Sequence, residues 1–182
     1  PAAGASTPSD FPWAEVTQEE LDGLAPGAAG VDDIYALSPL QQGMLFHEVD
    51  EPGAYLVQIT CTLHGALDLG AFRRSWDAVV AGIPMLRTSF RWDGLDEPVQ
   101  VVHGEAEVPV RFEDWSDLAA DEQRRRLDEY LEQDRRQSFP LDSPPPLMRF
   151  LVARLAPDVH HIEWSFHQIL FDGWSLPMVF QE

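Results

Sequence analysis

The stretch Ser165-Phe166-His167-Gln168-Ile169-Leu170-Phe171-Asp172-Gly173-Trp174-Ser175 gathers an imidazole, a carboxamide, a carboxylate and hydroxyls within a few residues. It follows a β-rich segment, contains Asp-Gly and leads into a helical pattern; such a strand–loop–helix corner is a common position for chemistry. An imidazole titrates at about pH 6.5, so it can take a proton from a nucleophile or hold that nucleophile by a hydrogen bond. A glutamine has no basic site near neutral pH, but it keeps an acceptor oxygen and two N–H donors. His160-His161 is a second histidine feature, inside a strand pattern. Adjacent strand residues face opposite sides, so the pair cannot share one metal or one substrate and reads as structural. Arg124-Arg125-Arg126 has acidic residues on both sides in sequence and reads as a solvated face rather than a phosphate site. Cys61, the single cysteine, excludes an internal disulfide framework and a multi-cysteine metal site. Its apolar, partly alternating surroundings predict a buried core thiol.

The elements that must position the corner can be read on either side of it. Residues 147–155 are apolar on both faces, which predicts a central strand. Ala156-Pro157-Asp158 turns the chain, and residues 160–166 return as its partner. Residues 175–182 begin a helix. Upstream, Ser38-Pro39-Leu40-Gln41 is a helix start, with Ser38 at the N-cap, Pro39 at N1 and Gln41 at N3, and the helix is expected to run to about Glu48. Residues 55–63 predict a strand. Asp68 caps a second helix that sets Phe72, Trp76, Val79 and Val80 on one face. Residues 86–92 and 99–103 flank Asp93-Gly94-Leu95 as a β-hairpin, and 108–112 is a short strand candidate. Residues 119–137 predict a long polar helix with Leu127, Tyr130 and Leu131 toward the core. Strands and helices mix without strict βαβ alternation, so the fold class is α+β, a mixed α/β sandwich. Residues 1–30 read as an interdomain linker: Pro, Ala and Ser dominate its start, Thr17-Gln18-Glu19-Glu20 has capping-box spacing for a short helix, and residues 25–30 are flexible again. The compact domain is expected over 31–182, interrupted just after the signature stretch.

A chain of 182 residues with 45% hydrophobic and 10% aromatic content has enough apolar material for one core. Its charge is lopsided: 12 basic residues, all arginine, stand against 31 acidic ones, for a net −19. That balance excludes nucleic-acid binding through basic clusters and disfavours anionic membrane surfaces. With no secretory leader and no apolar run of membrane-spanning length, the expected location is the cytoplasm.

His167, Asp172, Gly173, Trp174 and Ser175 fall on the signature of the condensation domains of nonribosomal peptide synthetases, His-His-x-x-x-Asp-Gly continuing Trp-Ser, which this sequence resembles. Gln168 stands where that signature has its second histidine. Ile34 to His47, with Leu37-Ser38-Pro39-Leu40-Gln41-Gln42-Gly43-Met44 at its centre, looks like the opening motif of the family. Met85-Leu86-Arg87-Thr88-Ser89-Phe90 looks like the second, although Gly82-Ile83-Pro84 departs from the Arg-His-Pro that usually precedes it. Residues 1–30 resemble the segment joining a carrier domain to a condensation domain. The resemblance implies a chloramphenicol acetyltransferase-like lobe, the N-terminal one of the two lobes of a V-shaped domain. It implies amide formation between a donor acyl thioester and an acceptor amine. No cofactor is expected on the domain itself: phosphopantetheine arms of the upstream and downstream peptidyl carrier domains carry both substrates into a tunnel between the lobes. The C-terminal lobe and an adjacent adenylation domain are the other implied partners.

The same resemblance assigns the site. Residue 168 occupies the position of the active-site imidazole, and loss of general-base help there costs ~10²–10⁴-fold. His167, one residue out of register, is expected to face away from the tunnel. Asp172 becomes an ion-paired scaffold residue with its arginine in the other lobe. Gly173 allows positive φ or close approach of a phosphopantetheine arm, and Arg87 is a structural salt-bridge residue. The isolated lobe is expected to be inactive. A non-catalytic docking platform for carrier or tailoring partners, and a cofactor-free acyltransferase of the wider superfamily, are the alternatives.

Overall fold

In the computed structural model, the residues described are 6–24, 30–171, 173 and 175–181. The main layer is a four-stranded sheet in the order β2-β7-β6-β5, with β2 Leu56–His64, β5 Val110–Asp114, β6 Met148–Ala156 and β7 Val159–His167. The β6–β7 and β2–β7 pairs are antiparallel, and β5–β6 is parallel. Parallel neighbours need a crossover, which α4 (Ala120–Arg136) supplies between β5 and β6. As its two-faced apolar pattern predicts, β6 is buried on both sides. Phe150 and Val152 point into the main core with Trp164 and Phe166 of β7, and Leu151 and Ala153 pack with Trp115, Leu127 and Tyr130. Helix α3 (Leu69–Gly82) covers the main-core face with Phe72 and Trp76, whose rings meet Phe150 at 5.4 and 4.6 Å between centroids. Its N-cap is Asp68, which accepts from the Ala71 N–H at 2.9 Å.

On the opposite face of β7, Glu163 and Ser165 are polar and buried beneath α4. Ser165 Oγ lies in hydrogen-bond contact with a carboxylate oxygen of Asp134 and at 2.5 Å from Glu163 Oε1. Asp134 also accepts from Gln58 Nε2 at 2.8 Å and Arg149 Nε at 2.6 Å. His160 and His161 are both buried within β7, in agreement with a structural reading of that pair.

A second sheet, β1-β4-β3, is formed by β1 Val31–Ala36, β3 Thr88–Arg91 and β4 Val99–His103. The turn before β4 contains Gly94 at φ +75°, a conformation that side chains with a Cβ rarely adopt. Phe11, Val16 and Leu21, the last on α1 (Gln18–Leu24), bury against Ile34, Val99 and Val101 as a separate core. Thr17 and Glu20 form the expected capping box, Thr17 N–H donating to Glu20 Oε2 at 2.7 Å and Glu20 N–H to Thr17 Oγ1 at 3.3 Å. The expected flexibility of 25–29 lies outside the described residues.

Several expectations change. The strand expected from residue 86 begins at Thr88, because Pro84–Arg87 winds into a 3₁₀ turn fastened by Thr88 Oγ1 donating to the Pro84 carbonyl at 2.9 Å. The strand expected at 108–112 starts two residues later, since Val108 turns into the main core and Pro109 has no N–H for a ladder. Helix α5 spans only Leu176–Val179; the chain leaves it at Phe180, whose ring meets Trp164 edge-on at 5.6 Å. Cys61 is exposed, not buried: β2 is an edge strand, and from Thr60 to His64 it is open to solvent.

Candidate functional site

The signature corner sits where β7 ends. Leu147 and Tyr55 hold the chain there through their carbonyls, which accept from His167 N–H at 3.0 Å and Gln168 N–H at 2.9 Å. Residues Gln168–Leu170 then form a 3₁₀ turn. Ile169 and Leu170 are buried and anchor it, His167 is fully buried, and Gln168 is exposed. The two residues of the family's histidine pair therefore face opposite environments, the imidazole inward and the carboxamide outward.

His167 Nδ1 accepts from the Ile169 N–H at 3.1 Å. Its Nε2 lies 3.3 Å from Glu48 Oε2, and the Tyr55 ring stands 6.1 Å away between centroids. Burial pushes the imidazole below its ordinary titration range; the Glu48 carboxylate acts in the opposite direction and does not overcome it. His167 is thus neutral near pH 7. Glu48 belongs to α2 (Pro39–Asp50), which starts as expected: Ser38 Oγ accepts from Gln41 N–H at 3.3 Å, and Gln41 Oε1 accepts from Ser38 N–H at 2.9 Å. Gln41 also contacts Gln100 Oε1 at 3.4 Å, which ties α2 to β4. The opening motif thereby delivers a carboxylate to the foot of the signature corner, a residue that sequence reasoning passed over. Its signal was a glutamate on the face of α2 that also buries Gln41, Met44 and Leu45.

Asp172 and Trp174 lie outside the described residues. A Cβ added to Gly173 would meet no described atom within 4 Å. Ser175 directly precedes α5. Arg87, largely buried, ion-pairs with Asp32 of β1 at 2.6 Å and also donates to the His103 carbonyl, so it braces the second sheet. The Arg124–Arg126 run is exposed, with Arg125 pairing to Glu122 at 2.6 Å and Glu129 at 2.5 Å. Among the described residues no group of three or more His, Cys, Asp or Glu is placed to hold a metal, and no helix is long and apolar enough to cross a membrane. A cavity of about 780 Å³ opens elsewhere, between α1 and the β3–β4 hairpin.

The profile of the family described as "Condensation domain" matches residues 31–182. The chain belongs to that family. It is 46% identical over 182 residues to a linear gramicidin synthase protein of Brevibacillus parabrevis, covering 99% of this chain and 4% of that protein. It is 36% identical over 154 residues to tyrocidine synthase 2 of the same organism, covering 84% of this chain and 4% of that synthase. Among solved structures, a four-domain nonribosomal peptide synthetase bound to AMP and glycine superposes with a TM-score of 0.70 at 25% identity, over 82% of this chain and 11% of that one. The starter condensation domain of rhizomide synthetase RzmA superposes with a TM-score of 0.71 at 22% identity, over 81% of this chain and 37% of that domain, a likeness of fold. The chain thus has the chloramphenicol acetyltransferase-like fold of condensation domains and spans a small part of the synthases it matches.

Proposed function

We propose that this chain is the N-terminal lobe of a nonribosomal peptide synthetase condensation domain, with residues 1–30 as the segment arriving from a carrier domain. The observation that carries this reading is the outward side chain at residue 168, set on a rigid corner while His167 is sealed beneath it. In the reaction, the acceptor's amine nitrogen attacks the donor's thioester carbonyl carbon. The C–N bond forms, the C–S bond breaks, the thiolate leaves on its phosphopantetheine arm, and the amine's proton ends on the sulfur or solvent. A group at 168 facing the tunnel is placed to orient the amine, and an imidazole there also takes its proton. Gln168 keeps the orienting hydrogen bond and lacks the base. His167 does not replace it, because it is buried and its Nδ1 is committed to Ile169. The catalytic assignments of Gln168, His167, Asp172 and Gly173, the carrier and adenylation partners, and a cytoplasmic location belong to this proposal. So does the inactivity of this chain without a C-terminal lobe to close the tunnel.

The non-basic side chain of Gln168 also favours a second reading, a condensation-like platform that docks carrier domains without catalysis. One experiment separates the two. In the two-lobed domain, Gln168→His is expected to raise the single-turnover rate with loaded carrier domains by ~10–10³-fold, with carrier affinity unchanged. Equal rates for the two versions would remove residue 168 from proton transfer, and no product from either would leave the docking platform.

A further inference from the structure

Glu48 has no role in the chemistry above, yet it is a carboxylate only 6% exposed at the base of the signature corner. Burying such a group is costly unless donors meet its oxygens. One donor bonds it directly, and its other oxygen lies at ion-pair distance from an imidazole nitrogen without a formed hydrogen bond. Oε1 accepts from the Gly53 N–H at 2.6 Å, and Oε2 lies 3.3 Å from His167 Nε2. On the opposite side of the ring, Nδ1 already accepts the Ile169 N–H. A neutral imidazole has one N–H; with Nδ1 accepting, that proton must sit on Nε2, the side of Glu48. If the proton moved to Nδ1, it would meet the Ile169 N–H donor head-on, and the turn from 168 to 170, closed by Phe171 N–H on the Gln168 carbonyl at 3.3 Å, would lose its N-terminal cap. Double protonation has the same effect. Burial disfavours the charged ring more than Glu48 favours it, so the carboxylate, 3.3 Å from Nε2, favours an N–H on its own side of the ring without charging the imidazole. The groups facing His167 are Glu48 from α2, the Tyr55 ring ahead of β2, and the Ile169 amide from the turn itself.

We propose that Glu48 is a positioning residue. Its carboxylate selects the Nε2–H form of His167, which leaves Nδ1 to cap the 168–170 turn and so aims the side chain of residue 168 outward. The consequence for catalysis rests on the proposed function; the tautomer does not.

The test is ring-nitrogen NMR of His167 in this chain, with amide exchange at Ile169. The native chain is expected to show the Nε2–H form at pH 7, and an Nδ1–H or doubly protonated ring would overturn the proposal without any variant. Glu48→Leu fills similar space and has no acceptor. It is expected to give a mixture of tautomers and at least tenfold faster exchange at Ile169, while an unchanged tautomer and unchanged exchange would overturn the proposal. In the two-lobed domain carrying Gln168→His, Glu48→Leu is expected to lower kcat about tenfold with KM unchanged. An unchanged kcat beside a shifted tautomer would refute the positioning role. If the two-lobed domain shows no turnover at all, the functional reading fails and the tautomer result still decides the role of Glu48.

Discussion

At Ser165 a single hydroxyl stands between two carboxyl groups, Asp134 and Glu163. One hydroxyl has one proton to donate, so with both acids ionised one contact is unsupported. Asp134 already receives Arg149 and Gln58. Glu163 receives neither, its Oε2 is buried without a partner among the described groups, and its titration is pushed up from an ordinary 4.5 to about 7. Burial is the main cause and the Asp134 charge adds to it, against the Ser165 hydrogen bond and Arg149. A folded-state value above the unfolded one means the folded chain holds a proton that the unfolded chain releases. The stability contribution is therefore intact below about pH 4.5 and is lost as pH rises through about 7. The loss is about 3 kcal/mol in all. Urea midpoints between pH 5 and 8 are expected to fall accordingly, and Glu163→Gln to flatten the slope. The same slope in the variant would assign the dependence to other groups. Strand alternation sets Glu163 and Ser165 on one face of β7, but Asp134 stood in a polar helix, and only the α4 crossover brings it to them.

Elements were more legible than the contacts between them. Local rules carried α2 and α3, because a cap followed by an apolar face is written in adjacent residues: Ser38 with Gln41, and Asp68 with Phe72 and Trp76. The two-faced burial of β6 followed from its continuous apolar run in the same way. Cys61 did not, because alternation says which residues share a face and not whether anything covers it. Glu48 was missed since its partner is more than a hundred residues away in sequence. The outward Gln168 and inward His167 agreed with alternation, although a 3₁₀ turn rather than an extended strand separates them. The segment before β1 shows what composition leaves out. It has the content of a linker, yet Leu21 is 1% exposed and packs with Phe11, Val16, Ile34, Val99 and Val101. Leu21→Ala is expected to cost ~2–5 kcal/mol, the range for truncating a buried leucine. Thermal or urea melts would read it, with near-UV signals from the Trp164 cluster reporting whether the main core follows. A change below about 0.5 kcal/mol would return α1 to the status of a tether.

Over the whole molecule, a net charge of −19 makes the compact state repel itself. The exposed arginine pairs on α4 offset little of this, since such pairs are individually weak. Raising salt from about 10 mM to about 1 M shortens the screening length from about 30 Å to about 3 Å. It is expected to raise Tm by roughly 2–4 °C, equivalent to about 1 kcal/mol for a chain of this size. A fall in Tm would show that the arginine pairs outweigh the repulsion. The order of strands in the main sheet bears on how the signature corner comes into being. β6 and β7 are neighbours in sequence and can zip as a hairpin, whereas β2 pairs with β7 across everything from residue 65 to 158. Non-local pairings form slowly, because the intervening loop must close before any contact rewards it. During synthesis from the N-terminus, β2 waits unpaired until β7 has been made. Its docking then brings the Tyr55 carbonyl onto the Gln168 N–H and closes the corner. One of the two carbonyls that hold the corner is thus supplied by the most distant strand pairing of the sheet, so a chain in which β2 has not docked lacks the Tyr55 anchor of Gln168.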